Sequence, residues 1–157
     1  MTLEISKQAP TFALQNQHDE TVTLEEHKGK WVVLYFYPKA MTPGCTTQAQ
    51  CMRDNIADIQ QHNAVVFGVS PDEPKRLAKF IEKENLNFDL LGDPDHTMAE
   101  QYDMWVEKNM YGRKYMGMER STVIINPEGK VAEVMRKVKP KEHHTKVLKF
   151  FDNQKNS

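Results

Sequence analysis

The chain has 157 residues and a mass of 18.2 kDa, and 39% of its residues are hydrophobic while 27% are charged. This size and composition predict a single domain over residues 1–157 with a buried core, and they exclude collagen-like and disordered chains. Lysine and arginine total 21 against 22 for aspartate and glutamate, so the net charge of −1 argues against binding to nucleic acid or to an anionic membrane.

The sequence also lacks the signals of a membrane or secreted protein. Its longest apolar run, Trp31–Tyr37, spans seven residues, whereas a membrane-spanning helix needs about 20. Residues 1–10 have neither the basic start nor the apolar centre of a secretory signal. We therefore expect a cytoplasmic protein, and a reducing compartment argues against a permanent structural disulfide between Cys45 and Cys51.

The first predicted elements are β-strands. Residues 11–14 and 21–24 favour strands on either side of the polar segment 15–20, which predicts an N-terminal β-hairpin. The run Trp31–Tyr37 is apolar on both faces and stops at Pro38, as expected of a central strand that is covered on both sides.

Helices and strands alternate in the middle of the chain. From Cys45 to about His62, the apolar spacing predicts a helix whose inward face consists of Ala49, Met52, Ile56 and Ile59. Residues 64–70 favour a second buried strand, and residues 71–73 start a helix that carries Leu77, Phe80 and Ile81. A short strand over residues 87–92 and a helix over residues 94–102 follow.

The last predicted elements are two strands and a helix. Residues 120–126 and 131–135 flank a turn in which Gly129 supplies a positive φ, and residues 140–152 have helical spacing at His144, Val147, Leu148 and Phe151. The order of all these elements predicts an α/β protein with a thioredoxin-like fold. In this fold helices flank a central mixed β-sheet, and the N-terminal hairpin is an extension.

The segment Pro38–Cys45 links the predicted central strand to the first turn of a helix. Unpaired N–H groups at a helix N-terminus stabilise an anion such as a thiolate, so we expect Cys45 to be reactive. Thr42 can place a hydroxyl near the sulfur, and Pro38 and Pro43 stiffen the loop. The alternative is that Cys45 is a small core residue. Its place beyond the carboxyl end of a strand, where ligands collect in α/β sheets, favours the reactive interpretation.

Several motifs together resemble one known family. The pattern Pro38-x-x-x-Thr42-x-x-Cys45 matches the peroxidatic motif of the peroxiredoxins, and residues 36–46 are similar to their bacterioferritin comigratory protein branch, also called the Q type. Further matching segments follow in the expected order: Ala9-Pro10-x-Phe12-x-Leu14, Gly29-Lys30, Arg53-Asp54, Gly68-Val-Ser70, Gly112-Arg-Lys-Tyr115 and Arg120-Ser-Thr122. Each motif alone is weak evidence, but their ordered combination is specific.

The resemblance implies a thiol peroxidase in which the Cys45 thiolate attacks hydrogen peroxide or an alkyl hydroperoxide and becomes a sulfenic acid. The Thr42 hydroxyl, the N–H groups of Gly44 and Cys45 and the Arg120 guanidinium would stabilise the charge that develops in the transition state. From composition alone, Arg120 would be a solvated arginine at a strand end. The resemblance also implies recycling by thioredoxin or a similar dithiol, no cofactor or metal, and a monomer.

Cys51 is the candidate resolving cysteine, but it follows Cys45 by six residues. In the family branch this cysteine usually lies five residues on, where this chain has Gln50. On an ideal helix six residues separate the Cα atoms by roughly 10 Å, beyond the limit of about 6.8 Å for a disulfide, so the helix would have to unwind. The alternative is a one-Cys enzyme in which Cys51 packs in the helix and an external thiol reduces the sulfenic acid.

Other residues suggest weaker interpretations. The pair His143-His144 suggests a metal site, but neighbours on a helix point about 100° apart, so we expect none. Methionines and aromatic residues between positions 98 and 118 could line a pocket for organic hydroperoxides, although such residues more often fill the core. They are Met98, Met104, Trp105, Met110, Tyr111, Tyr115, Met116 and Met118.

Two alternative functions fit the predicted fold less well. A thiol-disulfide oxidoreductase of this fold typically carries a Cys-x-x-Cys motif, which the surroundings of Cys45 lack. A thioredoxin-like binding module with an inert cysteine would have no use for Thr42 and Arg120 beside Cys45.

Overall fold

The structure is a computed structural model that describes residues 3–155. Its strands are β1 (Ala13–Asn16), β2 (Thr21–Thr23), β3 (Trp31–Phe36), β4 (Ala64–Ser70), β5 (Asp89–Gly92), β6 (Trp105–Met110), β7 (Arg113–Met118), β8 (Ser121–Ile125) and β9 (Val131–Met135). Its helices are α1 (Pro43–Gln60), α2 (Pro74–Glu84), α3 (Thr97–Gln101) and α4 (His143–Lys155), and a 3₁₀ turn covers Glu25–His27.

Seven strands form one mixed sheet in the order β2-β1-β5-β4-β3-β8-β9. The pairs β3–β4 and β4–β5 are parallel, and the remaining pairs are antiparallel. The predicted thioredoxin-like α/β fold is therefore confirmed. The N-terminal hairpin joins the edge of this sheet, because β1 also pairs with β5 through Gln15 and Gly92.

The central strand β3 supplies both halves of the core. Side chains alternate between the two faces of a strand, so Val33 and Tyr35 pack with α1, α2 and α4 while Val32 and Leu34 pack on the other side with α3. The inward face of α1 is the predicted one, since Ala49, Met52, Ile56 and Ile59 are all buried. The burial of β3 on both faces fixes the point at which the chain leaves the sheet toward α1.

Some predicted boundaries differ from the structure. β1 continues through Asn16, which was expected in the turn, because the Asn16 side chain accepts hydrogen bonds from the backbone N–H groups of His18 and Glu20. α3 begins only at Thr97, since His96 has a left-handed φ of 48° and cannot continue a helix. In α4 the buried histidine is His143 rather than the half-buried His144.

The antiparallel hairpin β6–β7 was not predicted. Its turn consists of Tyr111 and Gly112, both with positive φ. The methionine-rich segment therefore divides in two. Met98, Met104 and Met118 fill the core, whereas the exposed side chains belong to the hairpin: Met110, Tyr111, Tyr115 and Met116. Within residues 3–155, no helix has the length and apolar character needed to cross a membrane.

We predict that Ile59→Ala destabilises the protein by about 2–5 kcal/mol, because Ile59 is fully buried between α1 and the sheet and its truncation leaves a cavity. Urea denaturation measures the change in the free energy of unfolding. The neighbouring exposed residue provides the control, and Gln60→Ala should change the stability by no more than about 0.5 kcal/mol. Equal effects of the two substitutions would contradict the predicted packing of α1.

Candidate active site

Cys45 lies in the first turn of α1. Thr42 is the N-cap and Pro43 the first helical residue, so the helix begins two residues before Cys45 rather than at it. The first helical hydrogen bond runs from Thr46 N to Thr42 O at 2.9 Å. The N–H groups of Gly44 and Cys45 precede it and have no acceptor within the helix, which leaves partial positive charge beside the sulfur. Cys45 is only 1% exposed.

Arg120 immediately precedes β8, and the antiparallel register of β8 on β3 pairs Ser121 with Phe36. This pairing carries Arg120 to the end of β3, where the chain turns toward α1. The Arg120 Nη2 donates a hydrogen bond of 3.3 Å to the Cys45 Sγ. The structure thus brings together two predicted site residues that are 75 positions apart.

Gly44 makes room for this contact. A Cβ atom at position 44 would lie 3.1 Å from the Arg120 Nη2, closer than most Cβ atoms approach a neighbour. The absence of a side chain at residue 44 thus leaves room for the guanidinium where it approaches the sulfur, and a larger residue would force it to shift by a few tenths of an ångström.

Thr42 and Pro38 lie on the loop before Cys45. The Thr42 hydroxyl donates a hydrogen bond of 2.8 Å to the carbonyl of Lys39. Among the described residues, no hydrogen bond joins the Thr42 side chain to Cys45. Pro38 is half-buried two residues after the end of β3. Of the predicted polar groups, the guanidinium contacts the sulfur, whereas the Thr42 hydroxyl is engaged within its own loop.

Two residues that sequence reasoning missed fix this loop from the start of α2. The Asp72 carboxylate accepts hydrogen bonds from Ala40 N at 2.8 Å and Ser70 Oγ at 2.7 Å. Arg76 forms an ion pair with Asp72 at 3.1 Å and donates from Nη2 to the Ala40 carbonyl at 2.9 Å. The next residue, Met41, has a left-handed φ of 66°, a strained conformation for methionine.

A buried chain of polar side chains extends from Arg120 away from the sulfur. Arg120 Nη1 donates to Gln48 Oε1 at 2.7 Å, and Gln48 Nε2 lies 3.1 Å from His143 Nδ1. The His143 Nε2 in turn lies 2.5 Å from Thr122 Oγ1. Gln48 and His143 were not predicted as site residues, although Gln48 follows Cys45 by three positions and thus shares its helix face.

His143 is fully buried at the first position of α4. Burial, together with the positive charges near it on His144, Arg120 and Lys146, lowers the pKa of His143 to about 3. The imidazole is therefore neutral at physiological pH. Among residues 3–155, no group of three or more His, Cys, Asp or Glu side chains is placed to hold a metal ion.

Cys51 is half-buried on α1, and both cysteines are free thiols. Its carbonyl accepts a hydrogen bond from Asn55 Nδ2 at 2.8 Å. The neighbouring Gln50 donates to Glu84 Oε1 on α2 at 2.8 Å, and Arg53 donates to the Glu84 carbonyl at 2.6 Å. The structure does not bring Cys51 to Cys45, because both lie within one uninterrupted helix.

The β6–β7 hairpin contributes one cation near the site. Lys108 is half-buried, with its side chain lying across Gly117. Burial lowers the pKa of Lys108, and the charge of Arg120 lowers it further. The positive charges of Lys108 and Arg120 are therefore close enough to repel each other.

The sequence and the fold can now be compared with those of known proteins. The sequence model of the AhpC/TSA family matches residues 5–134. The putative peroxiredoxin bcp of Haemophilus influenzae and the peroxiredoxin Bcp of Bacillus subtilis are each 49% identical over 148 residues, which cover 94% of this chain and 96% and 94% of those proteins. The chain belongs to the AhpC/TSA family.

Solved structures agree with this assignment. Peroxiredoxin Q of Xylella fastidiosa has a TM-score of 0.92 at 32% identity, with 98% of each chain covered. The bacterioferritin comigratory protein of Xanthomonas campestris has a TM-score of 0.89 at 35% identity, covering 96% of this chain and 99% of that one. Within the AhpC/TSA family the chain is a peroxiredoxin of the Bcp and Q type, as the sequence resemblance predicted.

The buried imidazole of this peroxiredoxin should make its stability depend on pH. Because the folded state holds the pKa of His143 near 3 while the unfolded state titrates near 6.5, the unfolded state binds more protons between these values. The free energy of unfolding should therefore fall as the pH drops below about 6.5. Relative to His143→Asn, the wild type should lose roughly 1.6 kcal/mol more between pH 6.5 and pH 5.

Urea denaturation at several pH values measures this difference. His144→Asn serves as the control, and it should largely retain the pH dependence of the wild type, because the burial of His143, the largest cause of its lowered pKa, is unchanged. Identical pH dependences of the wild type and His143→Asn would show that the pKa of His143 does not differ between the folded and unfolded states.

Proposed function

We propose that Cys45 is the peroxidatic nucleophile through which this peroxiredoxin, a thiol-dependent peroxidase, reduces hydrogen peroxide and alkyl hydroperoxides. The observation that supports this role is the contact of 3.3 Å between the Arg120 guanidinium and the Cys45 sulfur in the first turn of α1. A cation and unpaired helix N–H groups both stabilise a thiolate, which is the reactive form of cysteine.

The proposed reaction transfers one oxygen atom to the sulfur. The Cys45 thiolate attacks the terminal peroxide oxygen, so that an S–O bond forms while the O–O bond breaks. The sulfur is oxidised to a sulfenic acid, and the departing oxygen takes up a proton and leaves as water or an alcohol. Negative charge moves from sulfur to the departing oxygen, so donors placed beside both atoms stabilise the transition state more than the ground state.

Each loop residue has a distinct part in this proposal. The Arg120 guanidinium spans the sulfur and the incoming oxygen, because its five N–H donors form a rigid fork. The Thr42 hydroxyl donates its hydrogen bond to the Lys39 carbonyl, and it must break that bond before it can donate to the peroxide. Pro38 has no N–H group, so it adds no competing hydrogen-bond donor to the loop. Its fixed φ and the hydrogen bonds of Asp72 and Arg76 with the Ala40 backbone keep the loop in place.

We further propose that Cys51 resolves the sulfenic acid, and that thioredoxin or a similar dithiol reduces the resulting disulfide. Six helical residues separate the two sulfurs by a rise of about 9 Å, so α1 must unwind from its first turn. Unwinding to Cys51 breaks the hydrogen bonds of Gln48 and Gln50. These hydrogen bonds oppose resolution by Cys51. They favour the competing outcome, which is a one-Cys enzyme whose sulfenic acid is reduced by an external thiol.

The remaining expectations concern the setting of the enzyme. Peroxiredoxins act on peroxides and draw on thioredoxin-type reductants. We propose that this chain does so as a monomer in the cytoplasm and as one domain over residues 1–157. The near-neutral net charge of −1 supports a protein that binds neither nucleic acid nor an anionic membrane.

We predict that Cys45→Ser abolishes peroxide consumption while the fold is retained, because serine lacks a thiolate. Peroxide loss in the presence of a dithiol donor measures the activity, and circular dichroism checks the fold. The matched control is Cys51→Ser, which should still consume at least one equivalent of peroxide, because it retains Cys45. Turnover by Cys45→Ser at the wild-type rate would overturn the assignment of the nucleophile.

If Cys51 resolves, one equivalent of peroxide should convert the wild type to an intramolecular disulfide with less helix than the reduced form, because an intact α1 keeps the thiols too far apart. Far-ultraviolet circular dichroism should show this loss and its reversal by dithiol, and hydrogen exchange should quicken between residues 45 and 56. A stable sulfenic acid or only intermolecular disulfides in the wild type would establish the one-Cys alternative.

A further inference from the structure

The polar side chains around the candidate nucleophile come from three elements. Cys45 and Gln48 share one face of α1, because residues three apart on a helix are neighbours. Arg120 and Thr122 share one face at the start of β8, because side chains alternate along a strand. His143, the first residue of α4, lies between Gln48 and Thr122 and closes the set.

The hydrogen bonds in this set have a fixed direction. A guanidinium only donates, so the atom of Gln48 that faces Arg120 must be its carbonyl oxygen. The Gln48 amide nitrogen therefore faces His143, and because an amide nitrogen only donates, His143 Nδ1 must accept. The proton of a neutral imidazole then lies on Nε2 and is donated to the Thr122 hydroxyl oxygen.

A charged imidazole is incompatible with these hydrogen-bond directions. Both ring nitrogens of a protonated histidine donate, so His143 could not accept from the Gln48 amide. Gln48 would have to rotate its carboxamide and present N–H groups to Arg120, which has no acceptor to offer. Complete burial and the nearby positive charges keep His143 neutral, and the tilted ring of Tyr35 packs against the imidazole with its centroid 5.3 Å away.

We infer that His143 is a positioning residue for the peroxide reaction: by accepting a hydrogen bond from Gln48, it holds the Gln48 oxygen toward Arg120 and thereby holds the guanidinium beside the Cys45 sulfur. His143 touches neither the sulfur nor the peroxide, and it acts only through Gln48. This role rests on the proposed function of Cys45 as the nucleophile. A misplacement of about 1 Å in a reacting group can cost a hundredfold in rate, so a residue in this position controls the chemical step.

Two substitutions at position 143 separate positioning from packing. The asparagine side chain places a polar atom as many bonds from Cβ as the imidazole Nδ1, so His143→Asn can still accept from Gln48. The glutamine side chain places its polar atoms as far out as Nε2, so His143→Gln can meet Thr122 but leaves the Gln48 amide without its acceptor. Both variants are polar, and both are smaller than histidine or close to it in volume.

The measured quantity is the second-order rate constant for the reaction of the fully reduced protein with hydrogen peroxide in a single turnover, at neutral pH, with no recycling reductant present. His143→Gln should react roughly tenfold to a hundredfold more slowly than the wild type, whereas His143→Asn should stay within about threefold of it. The control is the neighbouring His144→Asn, which should match the wild type. Thermal unfolding of each variant shows whether the rates follow stability instead.

Equal rates for the wild type, His143→Asn and His143→Gln would overturn the inference. Rates of the two variants that fall in parallel with their melting temperatures would also overturn it, because they would mean that His143 only fills the core. Should neither variant fold, Thr122→Val removes the acceptor of the Nε2 proton with little change in volume, and an unchanged rate in that variant would overturn the inference too.

Failure of the proposed function has a different signature. If Cys45 is not the nucleophile, the wild type itself reacts no faster with peroxide than Cys45→Ser does. In that case the substitutions at His143 cannot slow the reaction further. A fast wild type with insensitive His143 variants therefore rejects only the positioning role.

Discussion

The contact between the Arg120 guanidinium and the Cys45 sulfur is the interaction on which the site depends. It rests on the antiparallel pairing of β8 on β3 and on the start of α1 after the short loop that follows β3, and Gly44 leaves room for the guanidinium. Gly44 and the start of α1 are immediate neighbours of Cys45, whereas the strand pairing that brings Arg120 to the sulfur is 75 positions away in the sequence. The thioredoxin-like fold supplies the geometry of the site by bringing a strand start and a helix start to the same edge of the sheet.

The proposed mechanism places two opposing demands on α1. In the proposed attack on peroxide, α1 has to hold the sulfur still, and Gln48 on its inner face contributes to this by fixing the guanidinium. In the proposed resolution by Cys51, the first turns of α1 have to open, against the burial of Ala49 and the hydrogen bond from Gln50 to Glu84. The balance between a fixed and an opened helix start thus determines whether the sulfenic acid is resolved internally or persists until an external thiol arrives.

Much of this arrangement could be predicted from sequence. The strand β3 and the inward face of α1 follow from simple apolar periodicity. The predicted helix start points to Cys45 as a reactive residue, and the family resemblance adds Arg120. The hairpin β6–β7 was missed because its turn, Tyr111-Gly112, lacks the Asn-Gly or Asp-Gly signal of a two-residue turn.

The supporting polar residues could not be found in the same way. The role of Asp72 depends on its approach to Ala40 across the sheet edge, and that of His143 on the packing of α4 against α1. Contacts between segments that are distant in the chain produce no periodic pattern of residues, so they cannot be predicted from a single sequence. Gln48 is the exception, since its spacing of three from Cys45 predicts a shared helix face.

The most direct test of the central contact is the second-order rate constant for hydrogen peroxide in Arg120→Met, with Arg120→Lys as the variant that keeps the charge but loses the fork of donors. Removal of the guanidinium should slow the reaction by roughly a hundredfold to a thousandfold, the effect of deleting one donor to a transition state. Arg120→Lys should fall between Arg120→Met and the wild type. A well-folded Arg120→Met that reacts as fast as the wild type would contradict the claim that this contact activates Cys45.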